Sequence, residues 1–131
     1  MVKKGVFVLI IAAVMITACV LELLYVNKTF AHMETQMEIL IAEIETDEAD
    51  VLRAQTVGKA TEIKGYWDKK KRLAEVMLNH ILLIEYDAKI SRMVSDIEVN
   101  DRDLSKIDAD QVLEMTRQLR ELHTPHVHNI F

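Results

Sequence analysis

Three histidines near the C-terminus have the density of a metal site. His123, His126 and His128 lie in the stretch HTPHVHNIF, and neutral imidazoles bind zinc, copper or nickel. Pro125 interrupts a helix between the first two histidines, and no cysteine stands nearby. A polar tail is therefore the simpler interpretation, and a metal site is kept as an alternative hypothesis.

An aromatic residue stands beside a basic run in the middle of the chain. Such a combination suits lipid headgroups or a protein partner, although an anchor in a helical core is the simplest role for a tryptophan. The candidate interaction residues are Trp67, Lys69, Lys70, Lys71, Arg72 and Tyr86. The carboxylates are numerous but have no glycine-lined or concave context, so the sequence predicts neither a catalytic pair nor a cofactor.

The composition restricts the fold to one small helical domain. The chain has 131 residues, of which only three are Gly and one is Pro, so it has few turn-forming residues for strands. A net charge of -5 argues against nucleic-acid binding, which needs a basic face. Because Cys19 is the only cysteine, no disulfide can form within the chain.

The N-terminal fifth predicts a membrane helix. Seventeen residues, Gly5 to Leu21, carry no charge, and the apolar run extends past Glu22 to Val26, long enough to cross ~30 Å of hydrocarbon. Because Lys3 and Lys4 precede the segment, the positive-inside rule places the N-terminus in the cytoplasm of a single-pass cell-membrane protein. The predicted division is a cytoplasmic N-terminus (1–4), a transmembrane helix (5–26), an extracytoplasmic helical bundle (27–123) and a C-terminal tail (124–131).

A lipoprotein signal is an alternative interpretation of the same segment. Ile16 to Cys19 has the small residues before a cysteine that are typical of a lipobox, which would be cleaved to leave a lipidated Cys19. The apolar residues that continue to Val26 favour a spanning helix instead, in which Cys19 is an ordinary small residue. Both interpretations place the domain on the same side of the membrane.

Apolar periodicity predicts an all-α fold, with the membrane helix continuing into an antiparallel bundle of about three helices. After the membrane segment, a heptad-like stripe has Asp47 in one slot and contains Val26, Phe30, Met33, Met37, Leu40, Ile44 and Val51. The membrane helix is expected to continue without a break to about Gln55. A second helix shows one apolar arc from Ile63 to Ala88 and an opposite arc from Leu83 to Ile97, which predicts a central helix. After a break at Asn100 to Asp103, Asp108 is the expected N-cap of a third helix.

The charge pattern suggests where the first hairpin turns. Acidic residues between Glu43 and Asp50 match basic residues between Lys64 and Arg72 if the chain turns near Gly58. A turn at 46–50 is the alternative, and it would bring Trp67 and the lysines level with Lys28 at the membrane surface. We expect the Gly58 register from the charges.

Three short motifs together resemble a Gram-positive bacterial family, domain of unknown function four-three-six-three. They are the basic N-terminus and membrane helix with Glu22 near its outer end, the run Trp67 to Lys71 followed by Asn79-His80, and the closing Asn129-Ile130-Phe131. The resemblance implies a single-pass anchored helical protein whose gene often neighbours that of a multi-pass membrane protein. It implies no reaction.

The sequence favours a non-enzymatic accessory or interaction protein. The expected partners are the bilayer and either a multi-pass membrane protein or a second copy of the chain, because a helix that is apolar on two sides has few partners within the chain. The alternative hypotheses are an extracytoplasmic sensor bundle, a spanin-like or divisome-like stalk, and a metal-binding protein.

Overall fold

The protein is all-α, as its composition predicts. The computed structural model describes residues 2–46 and 54–123, and within these ranges the chain forms four helices and no strand. They are α1 (Val2–Thr46), α2 (Ala54–Met77), α3 (His80–Glu98) and α4 (Arg102–His123).

The four helices pack in an up-down-up-down bundle. α1 contacts α2 and α4, and α3 contacts the same two helices. Side-chain contacts between Lys106 and Glu45, and between Arg120 and Asn27, show that α4 runs antiparallel to α1. We call the end of the bundle near Val26 the proximal end and the end near Thr46 the distal end.

Helix α1 serves two environments along one unbroken axis. Its N-terminal half is apolar and fully exposed, with a mean hydropathy of 2.8 over 18 residues, which makes α1 long and apolar enough to cross a membrane. Its C-terminal half forms one wall of the core. The heptad stripe is confirmed there, because six of its members are at most 3% exposed: Val26, Phe30, Met33, Met37, Leu40 and Ile44. Val51 lies outside the described residues.

The predicted central helix is in fact two helices. α2 ends at Met77 and α3 begins at His80, and the Asn79 side chain caps α3 by accepting a hydrogen bond from the Ile81 backbone N–H at 3.0 Å. Each helix therefore buries a single face. The first predicted arc is buried in α2, as at Ile63 and Ala74, and the second in α3, as at Leu83 and Ile90.

The hairpin register predicted from charge is wrong. Gly58 lies inside α2, and Gln55 belongs to α2 rather than to the end of α1. The Lys59 ammonium donates a hydrogen bond to the side-chain carbonyl of Gln36, and the Tyr25 hydroxyl donates one to the Lys70 backbone carbonyl at 3.2 Å. α1 ends at Thr46 and α2 begins at Ala54, and most of the alternative turn at 46–50 lies outside the described residues.

The α3–α4 turn falls at the predicted break but with a different cap. Asn100 adopts a left-handed φ of 63°, a conformation that asparagine tolerates at helix ends. The Asp101 carboxylate then accepts from the Leu104 backbone N–H at 3.0 Å. Asp108 lies within α4 and does not cap it, because the helix already begins at Arg102.

Three aromatic rings from three helices fill the proximal half of the core. Phe30, Trp67 and Tyr86 are each 0% exposed. The Trp67 and Tyr86 rings meet edge to face with centroids 4.8 Å apart, and Phe30 lies 6.0 Å from Trp67 and 5.8 Å from Tyr86. These three contacts fix the register of α1, α2 and α3 relative to one another.

Candidate interaction surface

Two of the predicted interaction residues lie in the core. Trp67 and Tyr86 are fully buried, so the structure places neither side chain on the surface. The Trp67 indole N–H donates to the Asp87 carboxylate at 3.0 Å, and the Tyr86 hydroxyl lies 2.7 Å from the Thr116 hydroxyl. Burial raises the pKa of Tyr86 well above its ordinary value. Both residues act as bundle anchors, which was the simplest interpretation of Trp67.

The basic run divides into paired and exposed residues. The Lys71 ammonium lies 3.5 Å from the Asp68 carboxylate and 3.6 Å from that of Asp87, and the nearby Asp87 charge raises the pKa of Lys71. The Lys70 ammonium lies over an aromatic pair described below. Lys69 and Arg72 are exposed at the proximal end of the bundle.

Aromatic and cationic side chains from α1 and α2 meet beside this run. The Lys70 ammonium is 5.6 Å from the Tyr25 ring centroid and 5.7 Å from that of Tyr66, within the range of cation–π attraction. The His32 and Tyr66 rings stack at 4.0 Å. Burial raises the pKa of Tyr66.

A groove of about 440 Å³ opens between α1 and α2 at this level. Its walls include His32 and Met33 from α1, and Glu62, Tyr66 and Lys69 from α2. The sequence analysis missed this groove because the residues of α1 and α2 that line it come together only in the observed pairing of these helices, with Lys59 beside Gln36. The stacked His32 and Tyr66 carry no local sequence signal.

The tip of the α2–α3 hairpin exposes a second, apolar surface. Four large apolar side chains on this tip are open to solvent: Leu73 at 44%, Val76 at 81%, Ile81 at 75% and Ile84 at 59% exposure. The sequence analysis assigned Leu73, Ile81 and Ile84 to a core arc, because it extended one helix through Asn79. The break at that residue turns the α3 members of this arc, Ile81 and Ile84, outwards, and Leu73 is exposed near the C-terminal end of α2.

A carboxyl pair lies in the distal half of the α3–α4 interface. The Asp108 carboxylate is 5% exposed and 3.6 Å from the Arg92 guanidinium. Burial raises the pKa of Asp108 to about 6, aided by the neighbouring Asp96 carboxylate, to which only a protonated Asp108 can donate a hydrogen bond. The Arg92 guanidinium also lies 4.0 Å from the Asp96 carboxylate, but the Arg92 side chain is largely exposed. The arrangement is a source of pH-dependent stability rather than a catalytic site.

The remaining predicted site residues are distributed as follows. Cys19 is exposed on the apolar half of α1 with a free thiol. Helix α4 ends at His123, and His126 and His128 lie outside the described residues. Within ranges 2–46 and 54–123, no group of three or more His, Cys, Asp or Glu side chains could hold a metal ion. The proposed histidine site stays a prediction.

Comparisons with protein-family models, curated proteins and solved structures found no match.

Proposed function

We propose that this chain is a non-enzymatic, single-pass membrane accessory or interaction protein. In this proposal the apolar half of α1 spans the bilayer, the N-terminus lies in the cytoplasm, and the bundle lies on the outer side. The observation that carries it is the continuity of α1, whose exposed apolar half runs without a break into the buried stripe of the bundle. No linker separates the anchor from the domain.

This continuity limits where a partner can be. The part of α1 inside the bundle, Val26 to Thr46, has 21 residues, which at 1.5 Å per residue reach roughly 30 Å from the bilayer. A bundle fixed to its anchor stays within this distance of the bilayer, which favours a membrane protein, a second copy of the chain or the lipid surface as its partner. Lys69 and Arg72, exposed at the proximal end, are the residues we assign to that contact.

Topology is tested by labelling single cysteines in intact cells. In a Cys19→Ala background, Ser91→Cys on the exposed face of α3 should react with a membrane-impermeant maleimide. Lys3→Cys is the matched control and should react only after permeabilisation. The reverse pattern would refute the orientation. A mature chain that begins at Cys19 and carries a diacylglyceryl group would replace the spanning helix with a lipid anchor.

The interaction role is tested by site-specific photo-crosslinking in native membranes. A photoreactive amino acid in place of Arg72 should yield an adduct with a multi-pass membrane protein or with a second copy of the chain. The same residue in place of Asp110, exposed on α4, is the control. Identical adducts from both positions would contradict a specific proximal contact.

A ligand-binding sensor is the second candidate, and the groove between α1 and α2 favours it. Its stacked His32 and Tyr66 and its neighbouring Glu62 and Lys69 combine an apolar wall with polar groups of both charges. The Gly65→Leu variant should fill the groove, because Gly65 lines it and a Cβ added there meets nothing within 4 Å. A metabolite that stabilises the parent chain but not this variant would support the sensor role. The single-chain core of four helices gives no support to an extended stalk.

A further inference from the structure

We propose that the tip of the α2–α3 hairpin inserts into the outer leaflet of the membrane, as a second and non-spanning contact beside α1. The tip comprises residues 73–84, and the proposal rests on the anchoring of α1 proposed above. It assigns a lipid surface, rather than a protein, to the exposed apolar side chains of this tip.

The first argument is position. Tyr25 contacts Lys70, and Gln36 contacts Lys59, so 11 residues along α1 match 11 along α2 and the two axes run nearly antiparallel. α2 continues unbroken to Met77. Leu78 lies eight residues after Lys70, so the tip extends about 12 Å past the level of Tyr25, towards the apolar half of α1.

The second argument places the bilayer boundary. If the hydrocarbon begins at Gly5, just after Lys4, 20 residues at 1.5 Å bring its outer edge to about Leu24. Tyr25 then lies at the interface, where tyrosine is enriched in membrane proteins. A tip that reaches about 12 Å beyond this level enters the headgroup and upper acyl region, close to the ~5–10 Å depth that interfacial helices adopt.

The third argument is chemical. Nine of the twelve residues from Leu73 to Ile84 are apolar, and Glu75 is the one acidic residue among them. The exposed Lys69 and Arg72 lie just above the tip, where anionic headgroups would surround them. An apolar surface with basic residues beside it, here Lys69 and Arg72, is typical of an interfacial membrane contact. In this protein the apolar tip also lies next to the membrane anchor.

Depth-sensitive fluorescence on the full chain tests this placement. In the Cys19→Ala background, single cysteines at Val76 and Ile81 carry an environment-sensitive fluorophore, and the protein is reconstituted in vesicles of phosphatidylcholine and phosphatidylglycerol. The matched controls are Val99 and Ile107, which are 68% and 51% exposed at the distal end. All four positions are apolar and exposed, so labelling leaves the core intact. The emission of the single buried tryptophan checks the fold.

We expect nitroxide-bearing lipids to quench the fluorophore at Val76 and Ile81 several-fold more than at Val99 and Ile107. Aqueous iodide should show the opposite order. Equal iodide quenching at all four sites would overturn the proposal. Protection of Val76 and Ile81 from both quenchers would also overturn it, because a second copy or another protein would then cover the tip.

A fifth label separates this proposal from the anchoring of α1. Leu9→Cys lies in the apolar half of α1 and should be quenched by the lipid nitroxides if α1 spans the bilayer. Quenching at Leu9 but not at Val76 or Ile81 would leave the anchor standing and remove only the tip contact. Absence of quenching at all three positions would refute both proposals together.

Discussion

A buried hydroxyl pair between α3 and α4 gives a quantitative test of the bundle core. Tyr86 and Thr116 are both 0% exposed, and their oxygens lie 2.7 Å apart. The Thr116 hydroxyl donates its one proton to the Val112 carbonyl at 2.6 Å. Tyr86 must therefore be the donor in the pair, and Thr116 the acceptor. This assignment makes the two single substitutions unequal.

The Thr116→Val substitution leaves the buried Tyr86 hydroxyl without an acceptor, which should lower the free energy of unfolding by about 1–3 kcal/mol. Tyr86→Phe leaves only an under-used lone pair on Thr116, so about 0.5–1.5 kcal/mol is expected. In the double variant no polar group remains unpaired. It should be more stable than the sum of the single effects implies, with a coupling of about 1 kcal/mol.

Urea unfolding of the full chain in detergent micelles, followed by the fluorescence of Trp67, measures these values. The matched control is Thr61→Val, because the Thr61 hydroxyl makes the same backbone contact, to the Val57 carbonyl at 2.9 Å, on an exposed face. Its effect should be close to zero. Strictly additive effects of the Tyr86 and Thr116 substitutions, or a larger loss for Tyr86→Phe, would refute the assigned direction of the hydrogen bond.

Two further predictions test the α1–α2 register. Cysteines in place of Gln36 and Lys59 should join through a short thiol crosslinker in a Cys-free background, whereas cysteines in place of Glu45 and Lys71 should not; gel mobility separates the two outcomes, and the reverse would restore the charge-matched hairpin. Gly58→Ala should raise the free energy of unfolding by about 0.5–1 kcal/mol, because Gly58 is helical and an added Cβ meets nothing within 4 Å; a loss of stability in urea unfolding would indicate a turn at that residue.

The sequence predicts the buried stripe of α1 because the buried residues there recur at a regular spacing within one helix. Six residues of the α1 stripe, from Val26 to Ile44, are almost fully buried, and a period of 3.5 residues is enough to identify them. The sequence also predicts the break at Asn100 to Asp103, since polar turn residues interrupt the apolar pattern there. These signals depend only on neighbours within one helix.

Register is harder to predict because it depends on pairing between helices. Exposed ion pairs contribute little, so acidic and basic blocks between Glu43 and Arg72 could not decide the turn against the fit of Phe30, Trp67 and Tyr86. The wrong register and the missed helix break at Asn79 also kept the sequence analysis from finding the candidate surfaces. The groove at His32 and Tyr66 exists only in the observed register. The exposed tip exists only because α2 ends at Met77 and Asn79 caps the new helix α3.

The last prediction concerns pH and the carboxyl pair of α3 and α4. In the folded chain the pKa of Asp108 is raised to about 6, because the group is buried beside Asp96 and only partly compensated by Arg92 and Lys89. An unfolded aspartate titrates near 3.9. Between these values the folded chain binds a proton that the unfolded chain does not, so the free energy of unfolding falls as pH rises through this window.

Asp108→Asn removes the charge while keeping a similar shape. At pH 8 the variant should therefore be more stable than the parent by about 1–3 kcal/mol, the upper limit being the full pKa shift. Below pH 4 the two chains should be nearly equal, because Asp108 is then protonated in both states. Asp110→Asn, on the exposed side of α4, is the control and should leave the pH profile unchanged. Urea unfolding between pH 3 and pH 8 measures the difference. An Asp108→Asn chain that is less stable than the parent at pH 8 would show that Arg92 compensates the Asp108 charge fully, and that the pair stabilises the α3–α4 interface instead of straining it.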